Sequence, residues 1–137
     1  MKKKLRAALL ALMMVTALGT QAFAAQSTAS YNFHFVPPFT GCLEITQPAT
    51  RANSAYKPFV KPNKSSTATR YYLFADDIYL DGGYLPNATN YVDVSTAVKR
   101  TFTYKSGYGG TGTYYHLAGY PVDMNFSEYW ISGTWGS

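Results

Sequence analysis

Two histidines, His34 and His116, are the residues of this chain best suited to general-base chemistry, because imidazole changes its charge near neutral pH. A hydrolase with a catalytic triad would place one of them beside a nucleophile and a carboxylate. Serines are plentiful, but none occupies the sharp strand-to-helix turn of a nucleophile elbow. Both histidines stand between large apolar residues, which is typical of a histidine on a strand. We therefore predict no catalytic residue, with a small hydrolase using His34 or His116 as an alternative.

Three aspartates, Asp76, Asp77 and Asp81, lie close together just before a glycine pair. Calcium binds oxygen-rich turns, but this spacing departs from the alternating ligands of an EF-hand. Two carboxylates can also hydrolyse a glycosidic bond. However, adjacent residues on a strand point to opposite faces, so Asp76 and Asp77 would not converge there. We predict a solvated turn with no metal or cofactor, and leave open whether the three aspartates bind a cation.

Tyrosine is the most unusual feature of the composition, with 13 tyrosines in 137 residues. Together with the other aromatic residues, they exceed what the core of one small domain needs, so some must reach the surface. Exposed tyrosine rings stack on sugars and fill protein interfaces, because the ring is rigid and its hydroxyl forms hydrogen bonds. The candidate binding patch is drawn from Tyr71, Tyr72, Tyr84, Tyr108, Tyr114, Tyr115 and Tyr120.

Alternating residues indicate the strands that would carry these side chains. Tyr31, Phe33 and Phe35 alternate with polar residues, which predicts one buried face and turns His34 away from it. In the segment 113–118, Tyr115 and Leu117 share one face, and the opposite face holds Tyr114, His116 and Ala118. In the segment 127–135, one face holds Tyr129, Ile131, Gly133 and Trp135, and the other holds Trp130, Ser132 and Thr134.

Further strand signals occur at 43–45, 70–74, 78–80, 91–94 and 101–105, and a flexible glycine-rich turn is predicted at 107–112. Spacings of about 8–12 residues between turns are typical of antiparallel sandwiches and barrels. The predicted fold is all-β, an antiparallel β-sandwich or partly open barrel, in one domain spanning 25–137. Within it, 47–70 is a long, polar connection with three prolines, and one strand is placed near 56–60.

The first 24 residues are typical of a cleavable secretory signal. Lysines at 2–4 and an arginine at 6 precede an apolar run, 7–18, that is shorter than the roughly 20 residues of a membrane anchor. Small residues at Ala22 and Ala24 predict cleavage before Ala25. The expected product is secreted, without a membrane anchor, and tyrosine-rich.

Removal of this leader changes the charge of the protein. The leader contains four of the 12 basic residues, so residues 25–137 carry a net charge of +1 against +5 for the whole chain. A near-neutral domain has no electrostatic signature for nucleic acid. Residues 51–70 still hold five basic residues and no acid, which indicates either a solvated loop or an affinity for an anionic cell surface. The single cysteine, Cys42, excludes an intramolecular disulfide and is either a buried apolar residue or a bridge between chains.

The chain resembles a group of small exported proteins of uncharacterised function from Gram-positive bacteria. The resemblance rests on the leader and on three strands: Tyr31-x-Phe33-x-Phe35, Thr113-Tyr114-Tyr115-x-Leu117, and Tyr129-Trp130-Ile131-Ser132-Gly133-Thr134-Trp135. It implies a secreted β fold and brings no known catalytic residue. A weaker similarity is to exported bacteriocins of the lactococcin type, which also end in aromatic strands.

The leading hypothesis is a secreted, non-enzymatic domain that binds an extracellular glycan or protein through exposed aromatic side chains. A bacteriocin-like antagonist of neighbouring bacteria is one alternative, and the hydrolase is another. Oligomeric state is left open.

Overall fold

The computed structural model describes residues 26, 28–37, 44–46, 50–51, 55–75, 86–123 and 125–137. These residues are all-β and contain no helix. Nine strands follow one another along the chain: β1 (Ala29–Phe35), β2 (Glu44–Ile45), β3 (Thr50–Arg51), β4 (Phe59–Pro62), β5 (Thr69–Ala75), β6 (Val92–Val94), β7 (Arg100–Thr101), β8 (Tyr114–Pro121) and β9 (Tyr129–Gly136).

Two antiparallel sheets are formed by these strands. The first has the order β1-β9-β4-β7, so the last strand of the chain lies between β1 and β4. The second has the order β2-β8-β5-β6, and β3 pairs with β8 beside β2. Strands β8 and β9, eight residues each, therefore lie inside their sheets and connect strands that are distant in the sequence.

A single aromatic core fills the space between the two sheets. Its inward side chains come from alternate positions of β1, β5, β8 and β9, as the period-two patterns predict. Phe33, Phe35, Leu117, Ile131 and Trp135 are among those almost fully removed from solvent. Burial of large rings on this scale is the main source of stability for a domain whose described residues include no cysteine.

In each sheet, a tyrosine faces a glycine on the neighbouring strand. Tyr31 on β1 pairs with Gly133 on β9, and Tyr71 on β5 pairs with Gly119 on β8. A side chain on either glycine would collide with an aromatic ring, since a Cβ on Gly119 would lie 2.8 Å from the Phe33 ring and one on Gly133 would lie 2.7 Å from Tyr31. The rings thus occupy the space that the glycines leave, an arrangement that protects strand glycines.

Tyr31 and Tyr71 also meet across the core. Their hydroxyl oxygens lie 3.2 Å apart, and this hydrogen bond joins the first sheet to the second. Nearby, Thr69 Oγ1 and the Tyr129 hydroxyl lie 2.8 Å apart. Burial raises the pKa of Tyr71 to about 12, because an ionised phenolate would lose its hydration there. Each of these four hydroxyls thus has a partner in the core, as most buried polar groups do.

The all-β prediction is confirmed, and so are the alternations predicted for β1, β8 and β9. The glycine turn is also present, since Gly107, Gly109 and Gly112 have positive φ. The stretch 47–70 differs from a plain connection, because β3 and β4 lie in it and β4 is paired on both sides. Its prolines do not prevent this, since Pro62 is at the end of β4, where a missing N–H is tolerated.

Several predictions concern residues outside the described ranges. They are the signal peptide 1–24 with its cleavage site at Ala22, Ala24 and Ala25, the location of Cys42, the strand at 78–80, and the acidic turn of Asp76, Asp77 and Asp81. The predicted strand at 101–105 is shorter in the structure, where only Arg100–Thr101 pairs in a ladder and Tyr104 forms an isolated bridge with Thr89. No helix among the described residues is long and apolar enough to cross a membrane.

Candidate functional site

The outer surface of the first sheet, here called the β9 face, is polar and contains one exposed aromatic ring. It is formed by outward side chains of β1, β9 and β4. The six that surround or include the exposed ring are Asn32, His34, Lys61, Trp130, Ser132 and Thr134. The antiparallel register places Asn32 opposite Ser132, His34 opposite Trp130, and Lys61 opposite Thr134. Hydroxyl, amide and ammonium groups thus lie in rows beside the indole ring.

Trp130 is the most unusual residue of this face, because 52% of it is exposed to solvent. The His34 ring lies parallel to it, with the ring centroids 3.8 Å apart and the planes 8° from parallel. One side of the indole is therefore supported by a second ring, while about half of the residue stays in water. An exposed tryptophan that a neighbour holds in place resembles the rigid aromatic anchors of binding sites.

A carboxylate holds His34 in its stacked position. Nε2 of His34 lies 2.7 Å from Oε1 of Glu128, and since an ionised carboxylate only accepts, the imidazole donates this hydrogen bond. Glu128 is just before β9, so its carboxylate reaches the end of β1 from the neighbouring strand. The three side chains of His34, Glu128 and Trp130 form one connected unit at the surface.

The outer surface of the second sheet, here called the tyrosine face, carries the other aromatic group. Tyr72, Tyr91 and Tyr120 meet edge to face, with centroid separations of 5.4 Å between Tyr72 and Tyr91 and 6.4 Å for each of the other two pairs. Tyr91 is 46% exposed, whereas Tyr72 is buried within the group. These rings cover one another, and so they form a small outer cluster rather than an open row.

An ion pair borders the tyrosine face. Arg70 donates two hydrogen bonds to Asp93, at 2.6 Å and 2.7 Å, and its guanidinium carbon lies 5.7 Å from the centroid of the Tyr91 ring. These hydrogen bonds lower the pKa of the Asp93 carboxyl below its usual range. The pair is partly exposed and internally neutral, so it adds no net charge to this face.

The structure divides the predicted tyrosine patch. Exposure was wrongly expected at Tyr71 and Tyr115, which are fully buried because their positions on β5 and β8 point into the core. Tyr72 is buried on the opposite side of β5, and Tyr84 lies outside the described residues. Tyr108 and Tyr120 are half-buried, and Tyr114 is 44% exposed. Two described members of the patch, Tyr72 and Tyr120, are in contact with Tyr91 on the tyrosine face.

The two histidines lie on opposite sides of the protein and cannot act in one site. His34 belongs to the β9 face, whereas His116 is buried on the outer side of β8 against the Phe74 ring, at a centroid distance of 4.8 Å. Nδ1 of His116 donates a hydrogen bond to the Thr46 carbonyl oxygen, 2.6 Å away. Among the described residues, no three His, Cys, Asp or Glu side chains lie close enough to hold a metal ion. The hydrolase alternative stays a prediction.

Trp130, Tyr91, Arg70 and Glu128 are the surface residues that the sequence did not single out. The sequence predicted the outward direction of His34, and it placed Trp130 on one of the two faces of its strand without deciding which face is exposed. Their contact depends on the pairing of β1 with β9, which no local pattern reports.

No family model, curated protein or solved structure matches this chain. The resemblance to small exported proteins therefore stays a prediction, and the geometry of the two outer faces carries the functional argument.

Proposed function

We propose that this protein is a secreted, non-catalytic β-sandwich that binds an extracellular polysaccharide through the β9 face. The single observation behind the proposal is Trp130, half exposed and held parallel to His34 at 3.8 Å. The pyranose ring of a sugar has an apolar C–H surface that packs on the flat face of an indole. Trp130 offers such a surface, already fixed in one orientation.

Support by His34 and Glu128 gives the proposed site an energetic advantage. A free tryptophan side chain loses rotamer freedom when a ligand fixes it, at a cost of about 0.5–1.5 kcal/mol. Here the stacked imidazole and its 2.7 Å hydrogen bond to Glu128 restrict Trp130 before any ligand arrives. A ligand that packs on Trp130 therefore loses less of its binding free energy to fixing the side chain, and its affinity is higher.

The polar neighbours of Trp130 suit a sugar better than a protein. Sugar hydroxyls both donate and accept hydrogen bonds, and Asn32, Ser132 and Thr134 offer both kinds of group on adjacent strands. Neighbouring strands lie about 4.8 Å apart, so a chain of sugars lying across them meets polar groups at each strand. Cores of protein interfaces instead concentrate apolar and aromatic residues.

The tyrosine face is less suited to this function. Its three rings contact one another edge to face, and the adjacent Arg70–Asp93 pair is already satisfied. We therefore place the glycan on the β9 face and treat a protein partner as an outcome of the test. The bacteriocin-like alternative has no observation in its favour.

Affinity electrophoresis of the purified protein in gels containing soluble polysaccharides, or a glycan array, tests the proposal. Trp130→Ala should weaken binding at least about tenfold, since central aromatic anchors often contribute about 2 kcal/mol or more. Tyr91→Ala is the matched control, because Tyr91 is an aromatic residue of similar exposure on the other sheet. Circular dichroism establishes that both variants are folded.

Two results would overturn the proposal. In one, Tyr91→Ala loses binding while Trp130→Ala keeps it, which would move the site to the tyrosine face. In the other, the wild type binds no polysaccharide across a broad array but captures a protein directly.

A further inference from the structure

The pairing of β4 with β7 brings together two basic segments that are distant in the sequence. Val60 on β4 lies opposite Arg100 on β7, and Phe59 lies opposite Thr101. Five exposed cations follow from this pairing and are here called the basic edge: Lys57, Lys61, Lys64, Lys99 and Arg100. The sequence alone separates them into a group at 57–64 and a group at 99–100.

Two of these cations lie on the same side of the sheet as Trp130. Val60 points into the core, so its neighbours Phe59 and Lys61 point outward. Nζ of Lys99 lies 3.9 Å from the centroid of the Phe59 ring, which places it over that outward surface. Lys61 lies opposite Thr134 of the β9 face. The basic edge and the β9 face are therefore continuous through Lys61.

The two segments of the chain that supply the basic edge contain no acid. Residues 55–64 and 98–105 contain no aspartate or glutamate. The ion pairs found among the described residues are His34–Glu128 and Arg70–Asp93, and neither uses a cation of the basic edge. Like charges on neighbouring strands repel one another, so this arrangement costs stability in the absence of a counter-charge.

We propose that the polysaccharide bound by the β9 face is polyanionic, and that the basic edge binds its carboxylate, sulfate or phosphate groups. This inference rests on the proposed function, because it names the charge of the same ligand. Charge complementarity is the argument for this occupant. The shared outer surface joins Lys61 and Lys99 to Trp130. A polymer chain can contact all three residues at once, whereas a single ion cannot.

Other polyanions fit less well. Residues 25–137 have a net charge of only +1, counted from the whole-chain value of +5 less the four cations of the first 24 residues. Domains that bind nucleic acid are usually much more basic. An anionic membrane would meet Lys61 together with the hydroxyl and amide rows of the β9 face. Trp130 is the exposed ring that this face offers for insertion, whereas interfacial membrane anchors present a wide apolar surface.

Dextran and dextran sulfate provide a matched pair of probes, since they share a backbone and differ in charge. The full protein should migrate more slowly in gels containing dextran sulfate than in gels containing dextran. The difference should shrink as ionic strength rises from about 0.01 M to about 0.15 M, because the Debye length falls from about 30 Å to about 8 Å.

Charge-removing variants locate the effect. Lys99→Gln should weaken dextran sulfate binding about twofold, and Lys61→Gln with Lys99→Gln about fivefold, since exposed charge contacts are individually weak. Lys105→Gln is the matched control, because it removes one exposed positive charge outside the basic edge. An equal loss in Lys105→Gln and Lys99→Gln would overturn the inference.

Trp130→Ala separates this inference from the proposed function. If the wild type binds both polymers equally and Trp130→Ala weakens both, the basic edge has no role and the proposed function stands. If Trp130→Ala leaves dextran sulfate binding unchanged, the proposed function fails, and with it the assignment of one ligand to both surfaces. Binding to phosphatidylglycerol vesicles without retardation by dextran sulfate would also overturn the inference, in favour of a membrane.

Discussion

Replacement of Gly133 by alanine tests the packing of the core most directly. A Cβ at this position would lie 2.7 Å from Cε1 and 2.8 Å from the hydroxyl oxygen of Tyr31, and closer still to the Lys61 carbonyl oxygen. Carbon atoms in protein interiors approach to about 3.5–4.0 Å, so the neighbours would have to move by about 1 Å. Lys61 cannot move freely, because its strand pairs with β9 on one side and with β7 on the other.

The expected cost follows from two contributions. Overpacking of a well-filled core costs about 1–3 kcal/mol. A displaced Tyr31 would also weaken the 3.2 Å hydrogen bond to Tyr71, which adds about 1 kcal/mol. We expect Gly133→Ala to lower the free energy of unfolding by about 3 kcal/mol, or the melting temperature by about 12 °C.

Urea unfolding of the purified protein, followed by circular dichroism, measures this cost. Gly110→Ala is the control, because the nearest atom to its Cβ would be Thr113 Oγ1 at 3.9 Å and its φ is not positive. This variant should be unchanged or slightly more stable, since alanine restricts the unfolded chain. A Gly133→Ala protein within about 0.5 kcal/mol of the wild type would refute the proposed packing of tyrosine on glycine.

Three further predictions concern the same core and the exposed indole. Tyr31→Phe should lower the free energy of urea unfolding by about 1 kcal/mol, because Tyr71 loses its hydrogen-bond partner. If the losses in Tyr31→Phe and Tyr71→Phe simply add in the double variant, that result would contradict the contact. Burial raises the pKa of Tyr71 from 10.0 to about 12, so the neutral hydroxyl stabilises the folded state. This contribution to the free energy of unfolding should be complete below about pH 10 and lost as the pH rises through about 12. Unfolding measured across this range should show a weaker dependence in Tyr71→Phe. Iodide should quench the fluorescence of Trp130, which is 52% exposed, but not of Trp135, which is 0% exposed, so quenching that persists in Trp130→Phe would count against the structure.

The long strands were predictable because their patterns are local. β1 and β9 alternate in burial over seven or eight positions, and each buries one side. β8 was assigned two faces correctly, although residues 115–119 are buried on both of them. The sequence is less informative on β5, where Tyr71 and Tyr72 are adjacent. One of them must point inward and the other outward, and the core that decides this comes from other strands. This explains why exposure was wrongly expected at Tyr71.

The short strands and the β9 face depend on pairing between distant segments. β2, β3 and β7 contain two residues each, too few for any periodic signal. β4 lies in a polar, proline-containing stretch and becomes a strand because β9 and β7 accept it on both sides. His34 and Trp130 are 96 positions apart in the numbering and become neighbours only through the register of β1 with β9.

The location of β9 between β1 and β4 has a consequence for the order in which the protein can fold. The earliest strand to leave the ribosome, β1, has its ladder partner roughly a hundred residues later in the chain. Non-local pairing of this kind makes folding slow, because a large loop must close before the contacts form. The first sheet cannot assemble progressively from the amino-terminal side, so loss of the final strand would leave β1 and β4 without a common neighbour.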